Sequence, residues 1–320
     1  MPIPHVTGAW LDGEDPGDRK FIKVGDIALE SGEVLPDVTI AYQSYGTLNA
    51  TKDNAILVNH AWTGWSDVEG WWPNQVGPGK PLDTDKYFVV CPNVIGGCQG
   101  STGPASKHPD GNLYGSRFPS LTIRDMVQGE LALTDALGIP FYLLAVGPSL
   151  GGMRALEWAV QYPDRVRAIC TIGSSAVATG DQIGSASIQI KAIKADPNYN
   201  NGDYYEQANG PVEGMGIARR IAHLTYRTEY EMDVRFDDCV GPFLLNPGIL
   251  RLPLRFKITF QGSSLTTCCA FFLFVTALQR GTQKVAGKGI LMLLSPRRAS
   301  PRQCWLLTGS DCPGWLLSGQ

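Results

Sequence analysis

Ser149 is the residue of this sequence best set up to act as a nucleophile. It lies in Gly147-Pro148-Ser149-Leu150-Gly151, a G-x-S-x-G pentapeptide. An apolar, strand-like run (141–146) precedes it, and a helix-like segment (152–162) closed by Pro163-Asp164 follows. On a tight strand-to-helix turn a serine holds a strained backbone and its hydroxyl points out of the sheet. The flanking residues must be small, because side chains there would collide with the neighbouring strand and helix.

A serine hydroxyl needs a base to take its proton, and in such elbows an acid and then a histidine follow the serine in chain order. The four histidines are His5, His60, His108 and His223. Only His223 comes after Ser149, and the last 97 residues contain none. Beyond Asp238 the sole acidic residue is Asp311. The nucleophile is legible, but a triad aspartate and histidine are not found. His60 has two readings: a base, or the end of a strand packed beneath its loop, the second being favoured. The oxyanion of an acyl-transfer intermediate would take one backbone N–H from Leu150 and another from the loop after an early central strand. Residues 55–59 lead into His60-Ala61-Trp62-Thr63-Gly64, so the second donor is the Trp62 N–H. Arg219 and Arg220 lie about 100° apart on a helix, so one can face a cleft and clamp a substrate carboxylate while the other faces water. No metal-ligand spacing appears.

Elements that must position these groups can be read around them. Residues 21–29 and 38–43 alternate like half-buried strands, and 55–59 and 87–91 are short apolar runs suited to central parallel strands. A Trp-rich loop spans 62–72. Residues 92–106 carry Gly96, Gly97, Gly100 and Gly103, but no Gly-Lys-Ser/Thr follows, so an active-site or surface loop is expected rather than a phosphate cradle. Residues 121–137 have helical spacing, with Gly138 at the C-terminal cap. Together with a strand at 166–172 this rhythm gives a parallel α/β sheet with right-handed crossovers. Residues 183–195 and 212–226 read as helices of a cap above the C-terminal edge of the sheet, where open α/β sheets bind ligands. Beyond 240 no strand is legible.

Composition sets outer limits. The 320 residues, 43% hydrophobic and 18% charged, suffice for a folded core, and the net charge of -3 gives no sign of nucleic-acid binding. No apolar run reaches the ~20 residues that cross a bilayer, and residues 1–5 show no leader. Eight cysteines without a pattern suggest reduced thiols and a cytoplasmic protein. The charge is uneven: residues 1–239 hold 18 basic and 29 acidic residues, residues 240–320 nine basic and one acidic. Three segments follow: 1–175, the core with the elbow; 176–238, the start of a helical lid; and 239–320, a basic tail. The tail is either a basic subdomain or a product of a shifted frame or retained intron, and its loss of acidic residues and periodicity favours the latter.

The sequence resembles the homoserine O-acetyltransferases of the alpha/beta-hydrolase superfamily. The resemblance rests on His60-Ala61-Trp62-Thr63-Gly64, Asn93-Val94-Ile95-Gly96-Gly97-Cys98, Gly100-Ser101-Thr102-Gly103-Pro104, Gly115-Ser116-Arg117-Phe118-Pro119 and Thr122-Ile123-Arg124-Asp125. It continues through Gly147 to Met153, Ala155-Leu156-Glu157-Trp158, Tyr162-Pro163-Asp164-Arg165, 190–197 and 219–227, covering about residues 15–237. It implies an alpha/beta-hydrolase fold, a mostly parallel sheet with flanking helices and a helical lid. It implies a ping-pong reaction in which acetyl-CoA, a cosubstrate rather than a bound cofactor, acylates Ser149 and L-homoserine takes the acyl group in methionine biosynthesis. Trp62 and Leu150 match the oxyanion positions, Arg219 the substrate-binding arginine, and the lid helices a homodimer contact. No nucleic-acid or membrane partner is expected. The family's Ser-Asp-x-Leu turn and Gly-His-Asp motif are missing here, so impaired activity is expected. Succinyl-CoA as donor, serine or deacetylcephalosporin as acceptor, a serine hydrolase or esterase, and a non-catalytic remnant stay open.

Overall fold

A computed structural model describes residues 9–205, 207–232, 273–276 and 289–293. These fall into two compact units. The larger contains 10–113, 118–176 and the two late strands; the smaller contains Ala9, 114–117 and 177–232.

The larger unit is built on an eight-stranded sheet: β1 (Lys20–Ala28), β2 (Val34–Tyr45), β3 (Ala55–Val58), β4 (Phe88–Pro92), β5 (Leu144–Pro148), β6 (Ala168–Ile172), β7 (Leu273–Thr276) and β8 (Gly289–Leu293). Their spatial order is β1-β2-β4-β3-β5-β6-β8-β7. β4, β3, β5, β6 and β8 run parallel, while β2 and β7 are antiparallel to their inner neighbours. β3 explains why the centre is parallel: all four residues are buried, so both faces are covered and no polar alternation survives. Ile56 and Val58 pack with Val89, Cys91 and Val146 against Val68, Val76 and Leu82. Val68 belongs to the one-turn helix α1 (Val68–Trp71) in the Trp-rich loop.

α2 (Ile123–Ala136) and α3 (Leu150–Gln161) lie side by side against the sheet. α2 begins at Thr122, whose hydroxyl accepts from the Asp125 N–H while the Asp125 carboxylate accepts from the Thr122 N–H, a capping box. The buried Asp125 also accepts from the Glu30 N–H at 2.7 Å, tying the helix start to the β1–β2 turn. Gly138 follows the Leu137 C-cap with φ +66°, the left-handed conformation expected for it.

The smaller unit contains α4 (Gly180–Lys194), a 3-10 turn at Pro197–Gly202 and α5 (Val212–Tyr226). α4 and α5 pack together around Gly214, where an added Cβ would lie 2.9 Å from the Ile193 Cα. The Asp196 carboxylate accepts from the Gly214 and Asn198 amides, which holds it below the usual carboxylate range.

Two expectations need correction. Strand β5 runs on to Pro148 and helix α3 starts at Leu150, so the turn between them is one residue, Ser149. Glycine and proline read as breakers in sequence, yet here they are what lets strand and helix abut. The region beyond 240 also supplies two strands, β7 and β8. At four and five residues they are too short to carry a readable period.

Candidate active site

Ser149 has φ 53° and ψ -121°, outside the regions open to most L-residues at no cost. The neighbourhood fixes it there. Its N–H donates to Ile172 O at 2.9 Å, and its carbonyl accepts from Gly152 N–H at 2.9 Å and from Ser174 Oγ at 2.5 Å. The side chain is exposed between buried Gly147 and buried Leu150. Among the described residues nothing hydrogen-bonds its hydroxyl. The close approach also explains the glycines. A Cβ on Gly147 would lie 2.6 Å from the Gly151 carbonyl carbon, and one on Gly151 would lie 2.7 Å from that of Asn59 and 2.9 Å from His60 O. The start of α3 thus rests directly on the backbone leaving β3.

That backbone carries the other expected donor. Gly64 N–H donates to Ala61 O at 2.9 Å, closing a turn over 61–64 in which Trp62 is 74% exposed. Among the described residues neither the Trp62 nor the Leu150 amide has an acceptor. The helix N-terminus behind Leu150 adds positive partial charge. Trp62, Ser149 and Leu150 therefore belong to one packed unit.

His60 does not serve as a base. It is buried, its Nε2 accepts from Val94 N–H at 3.2 Å, and its Nδ1–H donates to Ala61 O at 2.7 Å. Burial first, and the Arg154 charge second, hold the imidazole down at about 3. The ring pins the loop after β3 to the loop after β4 in its neutral form. A stability consequence follows. The unfolded imidazole titrates near 6.5 and the folded one near 3, so between these values the unfolded state binds the extra proton. Stability from this residue is present above pH 6.5 and is lost as pH falls, by about 1.4 kcal/mol per unit. His60→Gln is expected to flatten that part of the curve in urea titrations between pH 7 and 4; an unchanged slope would reject the assignment.

The glycine-rich loop after β4 is not an anion cradle. Its Gly96, Gly97 and Gly103 amides donate to Thr102 O, Val94 O and Ser106 Oγ. Asn93 fastens it to the Trp-rich loop, accepting from Ser66 N–H and donating to Gln99 O, both at 2.7 Å.

A buried group without a local sequence motif lies under the elbow. Arg154 donates from Nη1 to Glu130 Oε1 and from Nη2 to His60 O, each at 2.6 Å. Trp158 Nε1 donates to Glu130 Oε2 at 2.5 Å. Burial pushes the Glu130 carboxyl up, against the pull of Arg154 and Trp158. Both its oxygens face donors that cannot accept a proton in return, so the carboxylate form is the one the geometry accommodates. A signal was present in the helical spacing: Arg154 shares the inner face of α3 with Leu150, Gly151, Ala155 and Trp158, and Glu130 that of α2 with Val127, Leu133 and Thr134.

Arg219 lies on α5 in the smaller unit, half-buried, while Arg220 is exposed. Burial, then Arg219 and Arg227, lower the pKa of His223 on the same helix. His108 is in the larger unit, 3.2 Å from Asp110. His5, Asp238 and Asp311 lie outside the described residues. Among the described residues no cluster of three or more His, Cys, Asp or Glu side chains is placed to hold a metal, and no helix is long and apolar enough to cross a membrane.

Comparison with known proteins agrees with this fold. A homoserine O-acetyltransferase from Thermobifida fusca is 51% identical over 247 residues, which are 73% of this chain and 65% of that protein. The chain spans just under two thirds of the length of the curated relatives it matches, 65% and 64% for the first two. Among solved structures, a homoserine O-acetyltransferase from Bacillus anthracis superposes with TM-score 0.63 at 29% identity, covering 68% of this chain and 62% of its own. An acetylester hydrolase from Corynebacterium glutamicum superposes with TM-score 0.64 at 28% identity, covering 74% and 66%. The family model of the alpha/beta hydrolase fold matches residues 54–241, where the parallel strands β3 to β6 and the serine turn lie. This chain belongs to the alpha/beta hydrolase fold family.

Proposed function

We propose that this chain carries the acyl-accepting site of a homoserine O-acetyltransferase. Ser149 Oγ attacks the thioester carbonyl of acetyl-CoA, and the Trp62 and Leu150 amides hold the developing oxyanion. CoA leaves as the thiol, and the hydroxyl of L-homoserine then takes the acetyl group from the serine ester. The observation that carries this reading is the exposed Ser149 at φ 53°, in the same packed unit as two amides without acceptors among the described residues. The 51% identity to a homoserine O-acetyltransferase supports the choice of donor and acceptor.

Arg219 is the proposed clamp for the amino-acid carboxylate. It is half-buried, and among the described residues no carboxylate pairs with it. The helical unit at 177–232 is the proposed lid. A homodimer through the lid goes with this reading, because α4 has no buried residue and exposes Ile183, Ile188 and Ile190. Sedimentation should give a dimer that Ile190→Asp splits; a monomer for the parent chain as well as the variant would sink it. A cytoplasmic location also fits, with Cys91 and Cys98 free thiols.

The test is direct. The full chain, incubated with acetyl-CoA or p-nitrophenyl acetate and quenched, should carry an acetyl group on the peptide containing Ser149, absent from Ser149→Ala. No adduct on a folded sample would reject the reading and leave a non-catalytic remnant. A second reading, an esterase, is supported by the likeness to the acetylester hydrolase. Competing L-homoserine, L-serine and water for the acetyl-enzyme separates the two.

A further inference from the structure

We propose that Arg154, held by Glu130, is a positioning residue that sets the oxyanion-binding amide of Trp62 through the carbonyl of His60. The inference rests on the reading of Ser149 and Trp62 given above and adds residues to which that reading assigns no role.

The backbone leaves the sheet after Asn59, whose N–H makes the last strand-like bond, to Val146 O at 2.7 Å. From there to Trp62 the chain is irregular, and its direction must come from other contacts. Three supply it. The His60 carbonyl is taken by Arg154 Nη2 at 2.6 Å. The His60 ring is taken by the Val94 amide at 3.2 Å. The turn is closed by Gly64 N–H on Ala61 O at 2.9 Å. The Trp62 amide hangs between these fixed points.

Arg154 lies in the helix that starts immediately after Ser149. Its guanidinium therefore couples the helix carrying the nucleophile to the loop carrying the oxyanion donor, and so sets the spacing of two groups that must act on one carbonyl. Such spacing matters because a misplacement of about 1 Å can cost ~10²-fold in rate. The fork needs orientation of its own. Glu130 accepts from Arg154 through one oxygen and from Trp158 through the other, with Arg154 and Trp158 at 0% exposure and Glu130 at 2%. An ion pair buried for packing alone could be exchanged for apolar residues of like volume. A guanidinium that also holds a backbone carbonyl cannot, since no apolar side chain donates to it. Lysine offers one nitrogen where arginine offers two directed ones.

The experiment uses the full chain with 15N-labelled tryptophan, the Trp62 amide being assigned by Trp62→Phe, together with single-turnover acylation by p-nitrophenyl acetate. Arg154→Met is expected to shift the Trp62 amide resonance. The Trp10 amide, bonded to Cys98 O at 2.9 Å, should be unchanged. The acylation rate constant should fall by roughly 10- to 100-fold with the half-saturating ester concentration unchanged. Arg154→Lys should recover part of both effects. If Arg154→Met does not fold, Glu130→Gln, which keeps the shape and weakens the hold, should give smaller changes in the same direction. A folded Arg154→Met protein with an unmoved Trp62 amide overturns the proposal, as does a loss confined to ester binding. If the unaltered chain does not acylate Ser149, the functional reading fails while the Trp62 amide still reports on the strut.

Discussion

A purified chain of these 320 residues is expected to transfer acetyl groups from acetyl-CoA to L-homoserine about 10⁴- to 10⁶-fold more slowly than the Thermobifida fusca relative. The reason is that no base among the described residues hydrogen-bonds the Ser149 hydroxyl. His60 has its acceptor nitrogen occupied by the Val94 amide and its pKa near 3. His223 lies on the helix of the smaller unit, and no histidine follows it in the last 97 residues. What stays is the scaffold's own share, the oriented serine and the proposed oxyanion donors, which in serine enzymes stripped of a triad member still exceeds water by roughly 10³ to 10⁴. Single-turnover acylation of Ser149 by an activated ester is therefore compatible with almost no steady-state transfer. Steady-state assays of CoA release with L-homoserine decide it. Turnover in the ordinary range of about 1 to 10³ s⁻¹ would mean that a base is present and that the assignment of the histidines is wrong.

Gly151→Ala should lower stability by about 3 kcal/mol or more and reduce Ser149 acylation at least ~10²-fold. The added methyl group meets backbone, not flexible side chain: the Asn59 carbonyl, its carbon at 2.7 Å, and His60 O at 2.9 Å. To relieve the contact, α3 must withdraw from the end of β3, which moves Ser149 away from Trp62. The same substitution elsewhere should act with the opposite sign. Gly216, inside α5, has nothing among the described residues within 4 Å of where the methyl group would sit, so Gly216→Ala is expected to stabilise the helix by about 0.5–1 kcal/mol. Urea titrations of both variants beside the parent chain test the pair. A neutral Gly151→Ala would show that the turn is looser than the packing implies.

Much of the frame was legible residue by residue. The bounds of α5, Val212–Tyr226, follow from helical spacing. The C-terminal cap of α2 follows from Gly138 and the serine turn from its small neighbours, whereas the Thr122–Asp125 capping box came from the structure. The errors at the serine turn and at the start of β2 share a cause: local rules treat glycine and proline as interruptions. At 147–152 they let a strand and a helix meet across a single residue. Strand β2 begins at Val34, four residues before its alternation becomes readable, because pairing with β1 resumes at Leu35 and Val34 beyond an irregularity at Pro36 and Asp37. β7 and β8 lie in a stretch without period, and their place in the sheet comes from pairing with β6 and with each other.

The amino-acid sequence by itself determined the serine turn, the parallel α/β frame and the resemblance that names a substrate class, and it singled out Ser149 and two amides as the proposed site. These depend on residues close together in the chain, where spacing and side-chain size act directly. Tertiary structure alone decided what the buried polar groups do. His60 is a neutral strut because Val94, 34 residues away, donates to it and water is excluded. Arg154 holds the loop after β3 because α2 brings Glu130 beneath it and β3 ends at its tip. Burial and hydrogen-bond partners are properties of packed elements rather than of a local sequence, and they set which ionisable group can carry a proton and which can only hold the backbone in place.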